Sequence, residues 1–172
     1  MRSILRICLV GFALLGTQAF GDEMSSRDIV IDLKLNVAPS KAWALWTEAS
    51  QVESWLTTKA NVNPVLGGDF ELFWDPSTPD QKSTKGCKIT SIVPGKLLAF
   101  EWKGPVPFAD IMNVAPLPTW ASVSFEPIGE NETMVHFRHS GWGSSDRWIQ
   151  ARKWQENAWR MAFAELDKVL SK

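Results

Sequence analysis

The chain has 172 residues, of which 45% are hydrophobic and 22% charged, enough apolar material for one globular core and too much for a disordered tail or a fibre. A domain of this size buries roughly 70% of the surface its unfolded chain exposes, so it needs neither a disulfide nor a structural metal to stand alone. The formal net charge of −1 disfavours a nucleic-acid partner.

At the N-terminus, Met1-Arg2-Ser3-Ile4-Leu5-Arg6 carries two cations, and Ile7 to Leu15 is an apolar run without acid or amide, the layout of a signal peptide. The small-x-small pattern Ala19-Phe20-Gly21 places cleavage after Gly21, with a cut after Ala19 as the alternative. Residues 1–21 thus read as a signal peptide and 22–172 as the domain. The apolar run is far shorter than the ~20 residues that span a bilayer, and no second run follows. The expectation is an exported protein, periplasmic or secreted, with no membrane association after signal removal. Loss of residues 1–21 leaves 16 basic against 19 acidic side chains, net −3. Cys8 departs with the signal, and Cys87 alone can close no internal disulfide.

In Ile29 to Val37 the residues Ile29, Ile31, Leu33, Leu35 and Val37 share one face at period two, which predicts a half-buried strand. Pro39 suits a first helical turn, and Trp43, Trp46, Trp55 and Leu56, with a break near Ser50, predict two short helices. Asn61–Val65 and Phe70–Asp75 flank Leu66-Gly67-Gly68-Asp69 as a hairpin that puts Phe70, Leu72 and Trp74 on one face. A polar loop over Pro76–Ser83 precedes a strand from about Lys85 to Ile92. In the next strand, Leu97 to Lys103, Leu98, Phe100 and Trp102 alternate with Ala99, Glu101 and Lys103, aromatics inward and charges outward.

Pro105, Pro107, Pro116 and Pro118 predict a long extended connection over residues 104–118, and loops of such length usually have a role. A hairpin follows, Trp120–Pro127 and Thr133–Gly141, with Ala121, Val123 and Phe125 on one face of its first strand and Val135 and Phe137 on one face of its second. From Asp146 the period becomes 3.6: Trp148, Ala151, Trp154, Ala158, Ala162, Leu166 and Val169 form a stripe widened by Trp159, Phe163 and Leu170. Ser145 or Asp146 caps this helix of roughly 25 residues, about 37 Å long. Its aromatic face needs a cover and so does a curved sheet, and packing one on the other satisfies both.

Ala42-Trp43-Ala44-Leu45-Trp46-Thr47 with Trp55-Leu56, Gly67-Gly68-Asp69-Phe70, Phe100-Glu101-Trp102 and Val123-Ser124-Phe125-Glu126-Pro127 carry a family resemblance. His139-Ser140-Gly141-Trp142-Gly143, followed by Trp148 and Ala158-Trp159, carries it most specifically. Over nearly all of residues 28–170 the chain resembles the START-like, or SRPBCC, superfamily, in particular its heat-shock-90 ATPase activator homologue branch. The resemblance implies an α+β helix-grip fold, a curved antiparallel sheet of six to seven strands wrapped on a long C-terminal helix, with two short helices after strand one. It also implies a deep cavity between sheet and helix, used across the superfamily for lipids, sterols, polyketides and other apolar molecules. It implies no activity, because the branch has no shared catalytic set. Export would place the chain out of reach of a cytosolic chaperone ATPase.

His136 and His139, the two histidines, sit three apart on a predicted strand and so face opposite ways, which argues against one metal ion. His139 shares parity with Phe137 and faces inward, as a structural histidine or, alternatively, as a ligand anchor or acid/base group. Gly141-Trp142-Gly143-Ser144-Ser145-Asp146 lacks the third glycine of a dinucleotide loop and reads as a helix cap. Trp43, Trp46, Trp55 and Trp154 read as packing. Asn131-Glu132-Thr133 is a glycosylation sequon on a predicted turn, relevant in a eukaryotic secretory pathway. Cys87 reads as a buried apolar group.

The candidate pocket residues are Phe70, Leu72, Trp74, Phe100, Trp102, Val123, Phe137, His139, Trp159 and Phe163, with no catalytic residue, metal or cofactor. The expected function is an exported, non-catalytic protein that binds a small apolar molecule. The alternatives are an enzyme on the same fold, cyclase or hydrolase-like and using His139, and a co-chaperone-like module with a protein partner, marked by an exposed apolar patch on the sheet's convex side.

Overall fold

The computed structural model describes residues 27–171, so the signal-peptide segment lies outside the described residues. The chain runs β1 (Ile29–Leu35), α1 (Pro39–Thr47), α2 (Ala49–Glu53), β2 (Lys59–Val62), β3 (Phe70–Phe73), β4 (Ile89–Val93) and β5 (Leu97–Trp102). A 3-10 turn at Val106–Phe108, α3 (Ala109–Met112), β6 (Thr119–Gly129), β7 (Glu132–Ser140) and α4 (Asp146–Leu170) complete it. Five strands form an antiparallel sheet in the order β1-β7-β6-β5-β4, and β2 and β3 form a separate hairpin. Backbone bonds from Phe70 to Cys87, Thr84 to Leu72 and Ile89 to Gly68 fasten the hairpin to the β4 edge. Where a single sheet of six to seven strands is expected, the seven strands divide into a five-stranded sheet and a two-stranded hairpin bonded beside its β4 edge.

Register explains which side chains meet. Ile29, His139, Ala121, Phe100 and Ile89 fall in one row across β1, β7, β6, β5 and β4, and Ile31, Phe137, Val123, Leu98 and Ile92 fall in the next. Period two sends these rows to the concave face. There α4 lies across them with Ala151, Gln155, Trp159, Phe163 and Leu166 buried, positions three and four apart on one helical face. Ser145 caps α4 by accepting a bond from the Trp148 amide, Asp146 sits in its first turn and Lys168 in its last, where each suits the helix dipole. No helix among the described residues is long and apolar enough to cross a membrane.

Two glycine positions hold the connections. Gly67 has φ +76°, and a Cβ on Gly68 would sit 2.1 Å from the Asn63 carbonyl oxygen, so the β2–β3 turn requires both. Gly141 has φ +91°, and a Cβ there would meet the Pro118 carbonyl oxygen at 2.0 Å. The predicted extended connection over 104–118 proves to contain the 3-10 turn and α3, since Pro105 and Pro107 preset φ for a tight turn. The Asn113 side chain fixes it by accepting from the Gly104 amide at 2.8 Å and donating to the Gly104 carbonyl at 3.0 Å.

Candidate functional site

The deep part of the space between sheet and helix is solid. Phe70 stacks on Phe100 at 3.8 Å, Trp46 on Phe137 at 6.0 Å, and Trp159 lies 4.4 Å from Phe137 and 4.6 Å from Trp102, centroid to centroid. Phe163 closes the cluster against Trp55 and Trp159, and Leu72 and Val123 are fully buried beside it. Seven of the ten candidate residues, Phe70, Leu72, Phe100, Val123, Phe137, His139 and Phe163, thus belong to the packed interior and not to the cleft beside it. Large rings at adjacent concave positions interlock once the helix brings its own rings down.

Beside this interior an open cleft of about 420 Å³ remains, bounded by the Gly104–Pro107 segment, the Gln81–Ser83 loop, Leu56 and the face of α4 that carries Trp154, Gln155, Ala158, Trp159 and Ala162. Three candidates reach it: Trp74, Trp102 and Trp159. Trp74 is 40% exposed at the rim, where its indole N–H donates to the Leu56 carbonyl at 2.9 Å and its ring meets Trp102 edge-on at 5.9 Å. Trp102 donates from its indole N–H to Gln155 Oε1 at 3.2 Å, an otherwise buried pair that ties the sheet to the helix. Arg147 holds the proline segment in place by pairing with Asp110 at 2.9 Å, bonding the Pro107 carbonyl and lying over the Phe108 ring.

Trp154 departs from its expected packing role: it is 46% exposed and lines the cleft. Sequence reading also missed Ala158 and Ala162, although two alanines at helical spacing between large rings are the signal of a space the sheet does not fill. Leu56 and the loop residues carry no such signal, since their place on the wall depends on how the hairpin docks against β4.

His139 is buried in the concave row, with its Nδ1 accepting from the Trp159 indole N–H at 3.0 Å and its ring packed on Trp102 and Trp142. Accepting at Nδ1 puts the proton on Nε2, which has no hydrogen-bond partner. Burial lowers its pKa to about 3, so the ring is neutral at ordinary pH. His136 points the opposite way, onto the convex face, 2.8 Å from Asp32 and 3.4 Å from Glu126, and the hydrogen bond to Asp32 raises its pKa. The two rings lie on opposite faces of β7, as period two requires, and cannot share an ion. Burial also pushes the Cys87 thiol up to about 12, which leaves it a protonated, weakly reactive group. The Gly141–Ser145 segment spends itself on structure, since the Trp142 indole donates to the His139 carbonyl and Ser145 caps α4.

Residues 36–171 match the protein family described as Activator of Hsp90 ATPase homolog 1-like protein. No curated protein matches the chain by sequence. Among solved structures, a Mesorhizobium loti protein superposes with a TM-score of 0.63 at 20% identity, covering 84% of this chain and 96% of its own. An Hsp90 activator from Plasmodium falciparum gives 0.62 at 18% identity, covering 84% and 96%. An Aha1 protein from Colwellia psychrerythraea, solved as a dimer, gives 0.60 at 19% identity, covering 83% and 95%. Identities this low speak for the shared fold, a curved antiparallel sheet closed by a long C-terminal helix.

Proposed function

The chain belongs to the Activator of Hsp90 ATPase homolog 1-like family, and from that premise we propose that it is a non-catalytic binding protein that takes a small apolar molecule into the cleft beside α4. Membership makes it a ligand-binding or protein-interacting module. The observation that favours the small molecule is the cleft itself: about 420 Å³ walled by the indoles of Trp74, Trp102, Trp154 and Trp159. That size falls within the ~300–1,000 Å³ range of small-molecule sites, and mostly apolar walls with few polar groups are their usual make-up.

Catalysis by His139 finds less support, because its ring is not part of the cleft wall and its Nδ1 is taken up by the Trp159 indole N–H. A protein partner docked on the convex side finds less too. That face carries Asp32, Ser122, Ser124, His136 and Arg138 around the exposed Val30 and Trp120, a mixed surface rather than a continuous apolar patch.

Titration of tryptophan emission with neutral 2-methoxynaphthalene tests the reading. Saturable quenching is expected in the native protein, and Ala158→Phe, which fills the cleft from the helix side, is expected to weaken it at least about tenfold while leaving the fold intact. Quenching that never saturates, or that survives Ala158→Phe unchanged, rules the cleft out as the site.

The proposal includes export, periplasmic or secreted, supported by Arg2, Arg6 and the Ile7–Leu15 run. Protein recovered from the periplasm of a bacterial host should have an intact mass beginning at Asp22. Full-length chain retained in the cytoplasm would refute export.

A further inference from the structure

Resting on the reading of the cleft as a small-molecule site, we propose that its ligand is a neutral, flat aromatic carbonyl compound whose carbonyl oxygen accepts a hydrogen bond from the Gln155 side-chain amide. The buried positions of α4 are Ala151, Gln155, Trp159, Phe163 and Leu166, so Gln155 is the polar residue in an otherwise apolar stripe. It is 3% exposed, and a polar group taken into the interior costs stability unless its hydrogen bonds are made.

A glutamine amide has one acceptor oxygen and two N–H donors. The Trp102 indole can only donate, so Gln155 Oε1 faces it at 3.2 Å and the NH2 group points away from it. Nε2 donates to no group of the described residues. The sealed side-chain atoms without a partner are Trp46 Nε1, Thr78 Oγ1 and His139 Nε2, and Gln155 Nε2 is not among them. An amide nitrogen that is neither bonded nor sealed, on a residue this buried, opens onto the space that the residue lines, which is the cleft.

The rest of the wall narrows the ligand class. Lys82 pairs with Asp75 at 3.3 Å, and the Lys103 ammonium bonds the Lys85 carbonyl outside the cleft, where Asp80 also attracts it. Both cations are engaged elsewhere, so an ionised ligand would give up its water without a countercharge. An alcohol accepts a bond as a carbonyl does but brings a donor of its own, and the Gly104 and Pro107 carbonyls and Gln155 Oε1 each already accept one. A carbonyl oxygen only accepts. The four indoles of the wall offer flat apolar faces for the attached ring.

The test is a tryptophan-quenching titration near pH 8 with 2-acetylnaphthalene and with 2-isopropenylnaphthalene, which keeps the flat shape and has CH2 in place of the carbonyl oxygen. The quantity read is the ratio of the two dissociation constants, compared between native protein, Gln155→Glu and Gln155→Met, so that the different hydrophobicity of the probes cancels. Gln155→Glu keeps an oxygen for Trp102 and turns the donor into a second acceptor, and Gln155→Met removes the donor at similar length. Relative preference for the ketone is expected to fall about tenfold or more in Gln155→Glu and about three- to tenfold in Gln155→Met. The carbonyl stretch of bound 2-acetylnaphthalene should lie at lower wavenumber in native protein than in Gln155→Met, a shift that a merely structural glutamine would not produce. A ratio unchanged in both variants, or a carbonyl band at the same position in native protein and Gln155→Met, would overturn the carbonyl ligand while leaving the cleft as an apolar site. Saturable binding of neither probe to native protein would overturn the cleft reading and the carbonyl ligand with it.

Discussion

Trp159→Ala is expected to lower the unfolding free energy by about 3–5 kcal/mol, read as a fall in denaturant midpoint at unchanged slope. The ring is buried, packs within 4.4–6.4 Å of Phe137, Trp102, Phe163 and Trp46, and donates its N–H to His139. Removal opens a void between sheet and helix that rigid neighbouring rings cannot collapse into, and it strands an acceptor on His139. A domain of this size has roughly 5–15 kcal/mol to lose, so the variant should still fold. Trp159→Phe separates the two contributions. It keeps most of the ring and loses the hydrogen bond, and should cost about 1–3 kcal/mol. A loss in Trp159→Ala under about 1.5 kcal/mol would mean that the ring is not part of the core.

Acid should destabilise the protein through His139. Its folded pKa lies near 3 against an ordinary 6.5, depressed by burial of the ring. Below pH 6.5 the unfolded chain therefore binds a proton that the native ring refuses, and stability falls as pH falls, by about 1.4 kcal/mol per unit once below that value. Between pH 7 and pH 4 the loss amounts to about 3 kcal/mol, and it levels off near pH 3.

Other titrating groups act elsewhere or oppositely. Asp69, Asp75, Asp80 and Asp110 are held below 3.8 chiefly by hydrogen bonds from Lys88, Ser77, Lys85 and Arg147, so their contributions vanish as pH falls through still lower values. His136 is raised by its bond to Asp32, so its contribution is complete below 6.5 and fades as pH rises through its higher folded value. Comparing denaturant midpoints of native protein and His139→Gln from pH 7 to pH 4 isolates the effect. The variant should lack the steep acid limb. If the two profiles run parallel, the imidazole takes up its proton in the folded state and is not sealed from water.

Much of this architecture was legible in the residues. Alternation in Leu98, Phe100 and Trp102 and in Val135, Phe137 and His139 marked the inward face of each strand, and the change of period at Asp146 marked α4, because local spacing alone decides which side chains share a face. The 3.6-period stripe and a cap at Ser145 or Asp146 located the helix, which runs from Asp146 to Leu170 with Ser145 as its cap. The proline segment misled: rings that preset φ are as compatible with a tight turn as with extension, and only the Asn113 staple and the Arg147 pair select the turn.

What the sequence by itself determined was the inventory of facing groups: which residues lie on the concave side, which helix covers them, and that His136 and His139 point apart. Tertiary structure alone decided how much of that interior is filled. Phe70, Phe100, Phe137 and Phe163 interlock into solid core, while Ala158 and Ala162 line the cleft that Trp74, Trp102, Trp154 and Trp159 frame. Periodicity fixes a side chain's direction, but whether opposing side chains touch depends on the curvature of the sheet and the placement of two loops, which no local pattern encodes.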